Sequence, residues 1–266
     1  MQSFFRLLTE LSSRKAISRM VGSLARSRWS RRWIGHFARS YGISVEEAEK
    51  PLHEYESLNE FFTRRLKPGA RPIDPDVNTL TSPVDAVITG LGPIRAGLRF
   101  EVKGQEYTVG ELLNQSPRTV NYDNGYYFVL YLSPRDYHRI HAPVSGRIEE
   151  KEHIPGKVYP VNDFGLRVMR QVLSRNERLV TYIRHEHGEA AVVKVGALNV
   201  SSIRYAEGLA DHVNKGDELA MFEFGSTVVL LMESGTFRPR GDLSCGQAVR
   251  VGEALGVLKP KHEDGR

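Results

Sequence analysis

One cysteine, Cys245, is all that the chain of 266 residues contains. An intrachain disulfide and a cysteine-based metal cage are both excluded, and the usage fits a reducing compartment. A lone cysteine is expected as a small buried hydrophobe. No apolar run approaches the roughly 18 residues that mark a membrane-crossing helix. Arg6 and Glu10 interrupt the N-terminal apolar stretch, so no signal-peptide core forms. There is also no G-x-S-x-G elbow, no repeat of fixed period and no low-complexity segment.

What is present is uneven. The net charge is +5, yet residues 1–42 hold nine Arg or Lys against one acid, so this arm carries +8 and the remainder −3. Apolar residues recur in the arm at helical spacing: Phe4, Leu8, Leu11, then Ile17, Met20, Val21, Leu24, then Trp29, Trp33, Phe37, Tyr41. Basic residues lie between them, and both tryptophans of the chain are here. Basic amphipathic helices with aromatic anchors lie in the plane of a bilayer and are drawn to anionic lipid. That reading ranks ahead of a helical subdomain packed on the body with its arginines in water, and a nucleic-acid arm ranks last.

Ser44-x-x-Glu47 and Ser57-x-x-Glu60 are both capping boxes and each should open a helix. The second runs to Pro68-Gly69, and the segment with Pro72, Asp74, Pro75 and Asp76 reads as an extended crossing. The boundary therefore falls near residue 70: a helical arm over 1–70 and a β-rich body over 71–266. Short runs rich in Val, Ile, Tyr and Phe follow, each bounded by Gly or Pro, as at 85–94, 126–133, 146–154, 190–200, 218–224, 226–232 and 247–258. Residues 108–114 are the one helix expected in the body. The fold class is α+β, with a mainly antiparallel, sandwich-like or barrel-like body.

Three stretches bear on chemistry. Residues 221–232 read MFEFGSTVVLLM, a strong strand pattern broken by Gly225, Ser226 and Thr227. Glycine inside a strand marks a bulge or a close backbone approach. His138 and His141 stand three apart beside a proline-bounded turn; two histidines at that spacing can hold a metal, but neither His185, Glu186 and His187 nor His262 forms a supporting pattern, and no metal is expected. The plain alternative places Arg135, Asp136 and His138 in a surface loop, with His141 capping a turn. Asp85, between Val84 and Ala86, is either a turn acid or a buried, paired carboxylate. Asp85, His141 and Ser226 together offer an acid, a base and a hydroxyl, the parts of a nucleophilic triad. A serine inside a strand is badly placed to attack an incoming peptide and well placed to attack the carbonyl before it, that of Gly225.

The blocks SLNEFFTRRLKPGARPID, SPVDAVI, YLSPRDYHRIHAPVSG, RNER and FGSTVVLL, in that order, resemble the phosphatidylserine decarboxylases, pyruvoyl-dependent enzymes, and fit their short bacterial type best. Phe224 stands where that family's best-known cleavage motif has Leu. The resemblance implies self-cleavage between Gly225 and Ser226 into a β chain, 1–225, and an α chain, 226–266. Ser226 would attack with His141 as base and Asp85 as its orienting acid, and would become a covalent pyruvoyl group, the only cofactor. That group would form a Schiff base with the serine amine of phosphatidylserine, release CO2 and leave phosphatidylethanolamine, with His138 as proton donor. The implied partners are phosphatidylserine, an anionic membrane surface and the two chains of one precursor as a heterodimer, which can pair again into a homodimer of heterodimers; nucleic acid is not among them. The implied location is the cytoplasmic face of the cell membrane, peripherally bound. On charge alone, Arg135, Arg139 and Lys103 are candidate phosphate partners, and the sequence does not assign the phosphate-binding residues. Two alternatives stay open: a Ser-His-Asp hydrolase of lipid or peptide esters, and a non-catalytic lipid-binding β module.

Overall fold

The computed structural model describes residues 22–161, 165–166, 169–197, 203–223 and 226–261. The helical expectations for Phe4, Leu8, Leu11, Ile17, Met20 and Val21, and the positions of Phe224, Gly225 and His262, lie outside these residues. No helix among the described residues is long and apolar enough to cross a membrane.

The described part of the arm is short-helical. A tight 3-10 segment, Arg28–Trp33, leads into α1 (Ile34–Tyr41), which stops at Gly42 in the left-handed region, φ +64°. Ile34, Ala38, Ile43, Tyr55 and Phe61 close a small core of their own. Trp29, Trp33 and Tyr41 stay about half exposed, at 51, 48 and 46%. The Ser57 box opens α2 (Leu58–Phe62): the Ser57 hydroxyl accepts from the Glu60 N–H at 3.1 Å. The Ser44 box does not open an α-helix; Val45–Glu47 makes one 3-10 turn with no side-chain cap. The Glu47 carboxylate is held by Arg71 at 2.9 Å, so it cannot fold back on its own turn.

The strands follow in chain order. They are β1 (Thr79–Thr81), β2 (Ala86–Pro93), β3 (Arg99–Val102), β4 (Gln105–Thr108), β5 (Tyr126–Leu132), β6 (Arg139–His141), β7 (Gly146–Ile154) and β8 (Arg178–His185). Then come β9 (Gly188–Val195), β10 (Ile203–Tyr205), β11 (His212–Val213), β12 (Glu218–Phe222), β13 (Ser226–Met232), β14 (Phe237–Pro239), β15 (Ala248–Val249) and β16 (Ala254–Leu258). The main sheet has the order β11-β7-β8-β9-β13-β5-β2-β15 and is open at both ends, so the barrel-like alternative gives way to layered sheets. Its strand pairs are all antiparallel.

β13 sits between β9 and β5, and both its faces are covered. Val228, Leu230 and Met232 join one core with residues of β6 and β12, whereas Val229 and Leu231 join the other with Phe100, Tyr107 and Leu112. A strand covered on both faces reads as a continuous apolar run rather than an alternating one, which is why VVLLM follows the GST tripeptide. The residues before that tripeptide belong elsewhere. β12 pairs with β10 and β6 in a separate sheet of order β10-β12-β6. The run at 218–232 is therefore two strands of two sheets, not one broken strand, and Ser226 and Thr227 already belong to the second.

The body carries more helix than expected. Beside α3 (Val109–Leu112), capped by the Thr108 hydroxyl on the Glu111 N–H at 3.1 Å, there are a 3-10 segment at Pro117–Tyr122 and α4 (Val172–Arg175). Cys245 is exposed rather than buried. It sits in the turn closed by the Gln247 N–H on the Ser244 carbonyl at 3.2 Å, with Gly246 at φ +93°, and turns of this kind lie at the surface.

Lys194 lies inside β9, fully buried, its Nζ donating to the Thr181 hydroxyl at 2.6 Å and the Val192 carbonyl at 3.1 Å. Burial pushes its pKa down to about 7. An unfolded lysine keeps its proton to about pH 10, so between about pH 7 and 10 the unfolded state binds more protons and stability rises with pH. Lys194→Met removes that dependence. The variant should gain on the order of 4 kcal/mol at pH 6, fading toward zero near pH 10. Denaturant midpoints of the two chains across this range check it, and parallel curves would show that Lys194 titrates normally.

Candidate active site

The turn between β5 and β6 carries His138, and β6 itself ends on His141. Asp136 accepts from both the N–H and the hydroxyl of Ser133 at 2.7 Å, which closes the turn and frees the Asp136 carbonyl to face inward. His138 Nδ1 donates to that carbonyl at 2.8 Å. The ring is fully buried, 3.9 Å from the Phe62 ring centroid on α2, and its Nε2 has no partner among the described residues. The surface-loop reading of His138 is thus overturned. An apolar wall supplied by the arm closes over the turn, a contact that no local pattern announces. Burial, helped by the positive charge of Arg64, lowers the His138 pKa to about 3, so the ring is neutral at pH 7 with its lone pair on Nε2.

His141 ends β6. Its backbone N–H donates to the Pro83 carbonyl at 2.8 Å. Its Nδ1 donates to the Gly216 carbonyl at 2.7 Å, leaving Nε2 as acceptor for the Tyr137 hydroxyl at 3.1 Å. Burial lowers the His141 pKa, against the opposing effects of the Gly216 bond and the carboxylates of Glu218 and Asp85. His141 is therefore a neutral imidazole in a fixed tautomer, and through Nδ1 it does tie down a carbonyl of the 214–217 turn.

Asp85 is buried and paired. Arg71 Nε donates to both its oxygens at 2.9 Å, Arg71 Nη2 to one at 2.6 Å, and the Val251 N–H donates at 2.9 Å. Burial opposes the Arg71 charge, but hydrogen bonds to Asp85 and Glu47 outweigh it and raise its pKa. The orienting hydrogen bond from Asp85 to His141 is not formed here. The Arg71 fork saturates the carboxylate, and Gly216 holds the imidazole instead, so Asp85 reaches His141 through its charge. Arg71, Tyr137 and Gly216 were not singled out by the sequence; Arg71 lay inside a recognised block without a stated role.

Ser226 opens β13, its backbone in register with Leu132 at the end of β5, six residues before His138. The Phe222 N–H donates to the His138 carbonyl at 3.0 Å, so the end of β12 meets the same turn. Both sides of the Gly225–Ser226 junction thus converge on the segment that carries the histidines. Of the cations named on charge, Arg139 is taken by Glu218 and the Thr63 carbonyl, and Lys103 lines a different groove. Arg135 lines a polar cavity of about 280 Å3 beside Asp85.

Comparison with known proteins gives the family. The family model described as phosphatidylserine decarboxylase matches residues 58–257. Relatives named phosphatidylserine decarboxylase proenzyme include one from Geobacillus kaustophilus, 44% identical over 260 residues and covering 97% of this chain and 98% of its own. Another, from Halalkalibacterium halodurans, is 44% identical over 259 residues, covering 96% and 98%. A third, from Bacillus thuringiensis, is 41% identical over 254 residues, covering 96% and 97%. With the match running through α2, the histidine turn and β13 alike, the chain belongs to the phosphatidylserine decarboxylase family.

Proposed function

We propose that this chain is the precursor of a decarboxylase that converts phosphatidylserine to phosphatidylethanolamine and CO2, after cutting itself between Gly225 and Ser226. The observation that carries the reading is the meeting of β12 and β13 with the segment from the end of β5 through β6, which holds two neutral histidines, His138 fully buried and His141 partly so. The Ser226 hydroxyl attacks the Gly225 carbonyl and forms an ester. Elimination returns a carboxylate to Gly225, and hydrolysis of the resulting enamine releases ammonia and leaves a pyruvoyl group at position 226. His141 takes the hydroxyl proton at Nε2; a neutral ring with Nδ1 tied to Gly216 is the form needed. Asp85 stabilises the imidazolium through its charge.

A buried imidazole with an open Nε2 fits a pyruvoyl site, which needs a proton carrier in a dry pocket. The pyruvoyl ketone supplies the electron sink for CO2 loss. His138 moves a proton at Nε2. The α chain, once cut free, stays in place because β13 is hydrogen-bonded on both sides by strands of the β chain. The exposed Trp29, Trp33 and Tyr41, set among Arg28, Arg31, Arg32 and Arg39, hold the enzyme peripherally on an anionic membrane at its cytoplasmic face.

Intact mass under denaturing conditions tests the reading. Two chains should appear, 1–225 and 226–266, the smaller with a blocked N-terminus and lighter than its serine form. A single full-length chain would remove the mechanism. Deleting residues 1–42 should weaken binding to phosphatidylserine vesicles, and binding by the full chain should fall as salt rises from 0.05 to about 0.5 M. Equal binding by both chains would make the arm merely structural.

A further inference from the structure

The cavity beside Asp85 contains a buried positive charge that the mechanism does not use. Arg64, on the arm just after α2, is only 4% exposed. Its Nη2 donates to the Arg135 and Asp136 carbonyls at 3.2 and 3.4 Å, but Nε and Nη1 are buried with no partner. The acids nearby are spoken for. Asp85 and Glu47 are hydrogen-bonded by Arg71, and Asp136 by Ser133. Burial lowers the Arg64 pKa. An ionised group held out of water with open N–H donors is retained where something charged comes to meet it. Arg135 and Arg250 also line the cavity, both largely exposed at its rim and paired loosely with Asp136 at 3.7 Å and Glu47 at 3.9 Å.

Resting on the decarboxylase reading, we propose that this cavity binds the phosphodiester of the lipid headgroup, with Arg64 as its buried donor and Arg135 and Arg250 at the entrance. Three features favour that anion. At about 280 Å3 the cavity takes a headgroup and not a lipid. Val87 lines both this cavity and a groove of about 940 Å3 walled by Leu91, Tyr127 and Tyr131, which gives a diester the room for its glycerol side that a free phosphate does not need. Asp136 and Tyr137 wall the cavity directly before His138, and the phosphorus lies only three bonds from the α-carbon to be protonated. The substrate's other anion, the carboxylate, is a poor occupant: holding it on an arginine would stabilise the ground state that must lose CO2.

The test compares the full-length wild type with Arg64→Met, Arg64→Lys and Arg250→Gln. Each is assayed with phosphatidylserine in mixed micelles, and the cut fraction is read by mass. Arg64→Met should still be cut, with KM raised on the order of 10- to 100-fold and kcat within a few-fold. Arg64→Lys should recover part of the loss, and Arg250→Gln, which lies at the surface and spares the fold, should raise KM a few-fold. Glycerophosphoethanolamine should compete with the wild type and barely with Arg64→Met, and inorganic phosphate should compete weakly with both. An unchanged KM in the cut Arg64→Met and Arg250→Gln chains overturns the proposal, as does a loss confined to kcat. Inorganic phosphate competing as well as the diester assigns the cavity to free phosphate and overturns the headgroup assignment. If the wild type releases no CO2 at all, the decarboxylase reading fails instead. Calorimetric titration of the wild type and Arg250→Gln with glycerophosphoethanolamine then decides the cavity alone, equal or absent heats overturning it.

Discussion

Ser226→Ala should yield one chain of 266 residues where the parent should yield two, and it should release no CO2 from phosphatidylserine. The substitution removes one oxygen. That oxygen is the proposed nucleophile of self-cleavage and the source of the group that later accepts the substrate amine, so a single change silences both steps. Loss of folding is not the reason to expect this. β13 is hydrogen-bonded to β5 and β9, and its aliphatic residues fill two cores. The unfolding midpoint should therefore stay within about 0.5 kcal/mol of an uncut reference, the usual range for substitutions that disturb no core contact. Intact mass and CO2 release are the measurements. Normal cutting in Ser226→Ala would move the nucleophile elsewhere. An uncut chain that still decarboxylates would separate the two activities and end the pyruvoyl reading.

How much of this was legible beforehand depended on whether the deciding contact was local. β7 and β13 lie where the runs 146–154 and 226–232 put them, and β5 comes within a residue, because aliphatic runs between turn residues need no tertiary information. The β3–β4 hairpin was not singled out. Its turn uses Lys103 and Gly104 at φ +50° and +75°, and lysine in the left-handed region is not a recognised hairpin signal. Ser44 and Ser57 carry the same box, but Glu47 was diverted by an arginine 24 positions away. Arg64 and Arg65 are adjacent and chemically identical; one is buried against Phe61 and the other side chain is 60% exposed. No window centred on them tells which is which. At the site, the identities of Asp85, His141 and Ser226 came through the family blocks, whereas Arg71, Tyr137 and Gly216 became visible only once the fold had set them against those residues.

His138 is where geometry says more than resemblance. A neutral ring with its lone pair on Nε2 cannot act as a donor at that atom; it must first collect a proton. The substrate provides one, because the serine ammonium has to shed a proton before its nitrogen can attack a ketone. Nε2 can accept that proton in a buried pocket and give it to the α-carbon after CO2 has left; the ethanolamine nitrogen then regains its proton from solvent, one per turnover. Removing the carrier should leave cutting intact, since the base proposed for that step is His141, and lower turnover by about 10²- to 10⁴-fold. His138→Ala also opens a void against Phe62 and should destabilise the fold by roughly 2–4 kcal/mol. His138→Gln fills more of that space and cannot carry the proton, so it separates catalysis from packing. The expected result is two chains by mass in both variants, KM near that of the parent, and turnover lowered alike. Full turnover in His138→Gln would retire the proton-carrier role, and failure of that variant to cut would place His138 in the self-cleavage step.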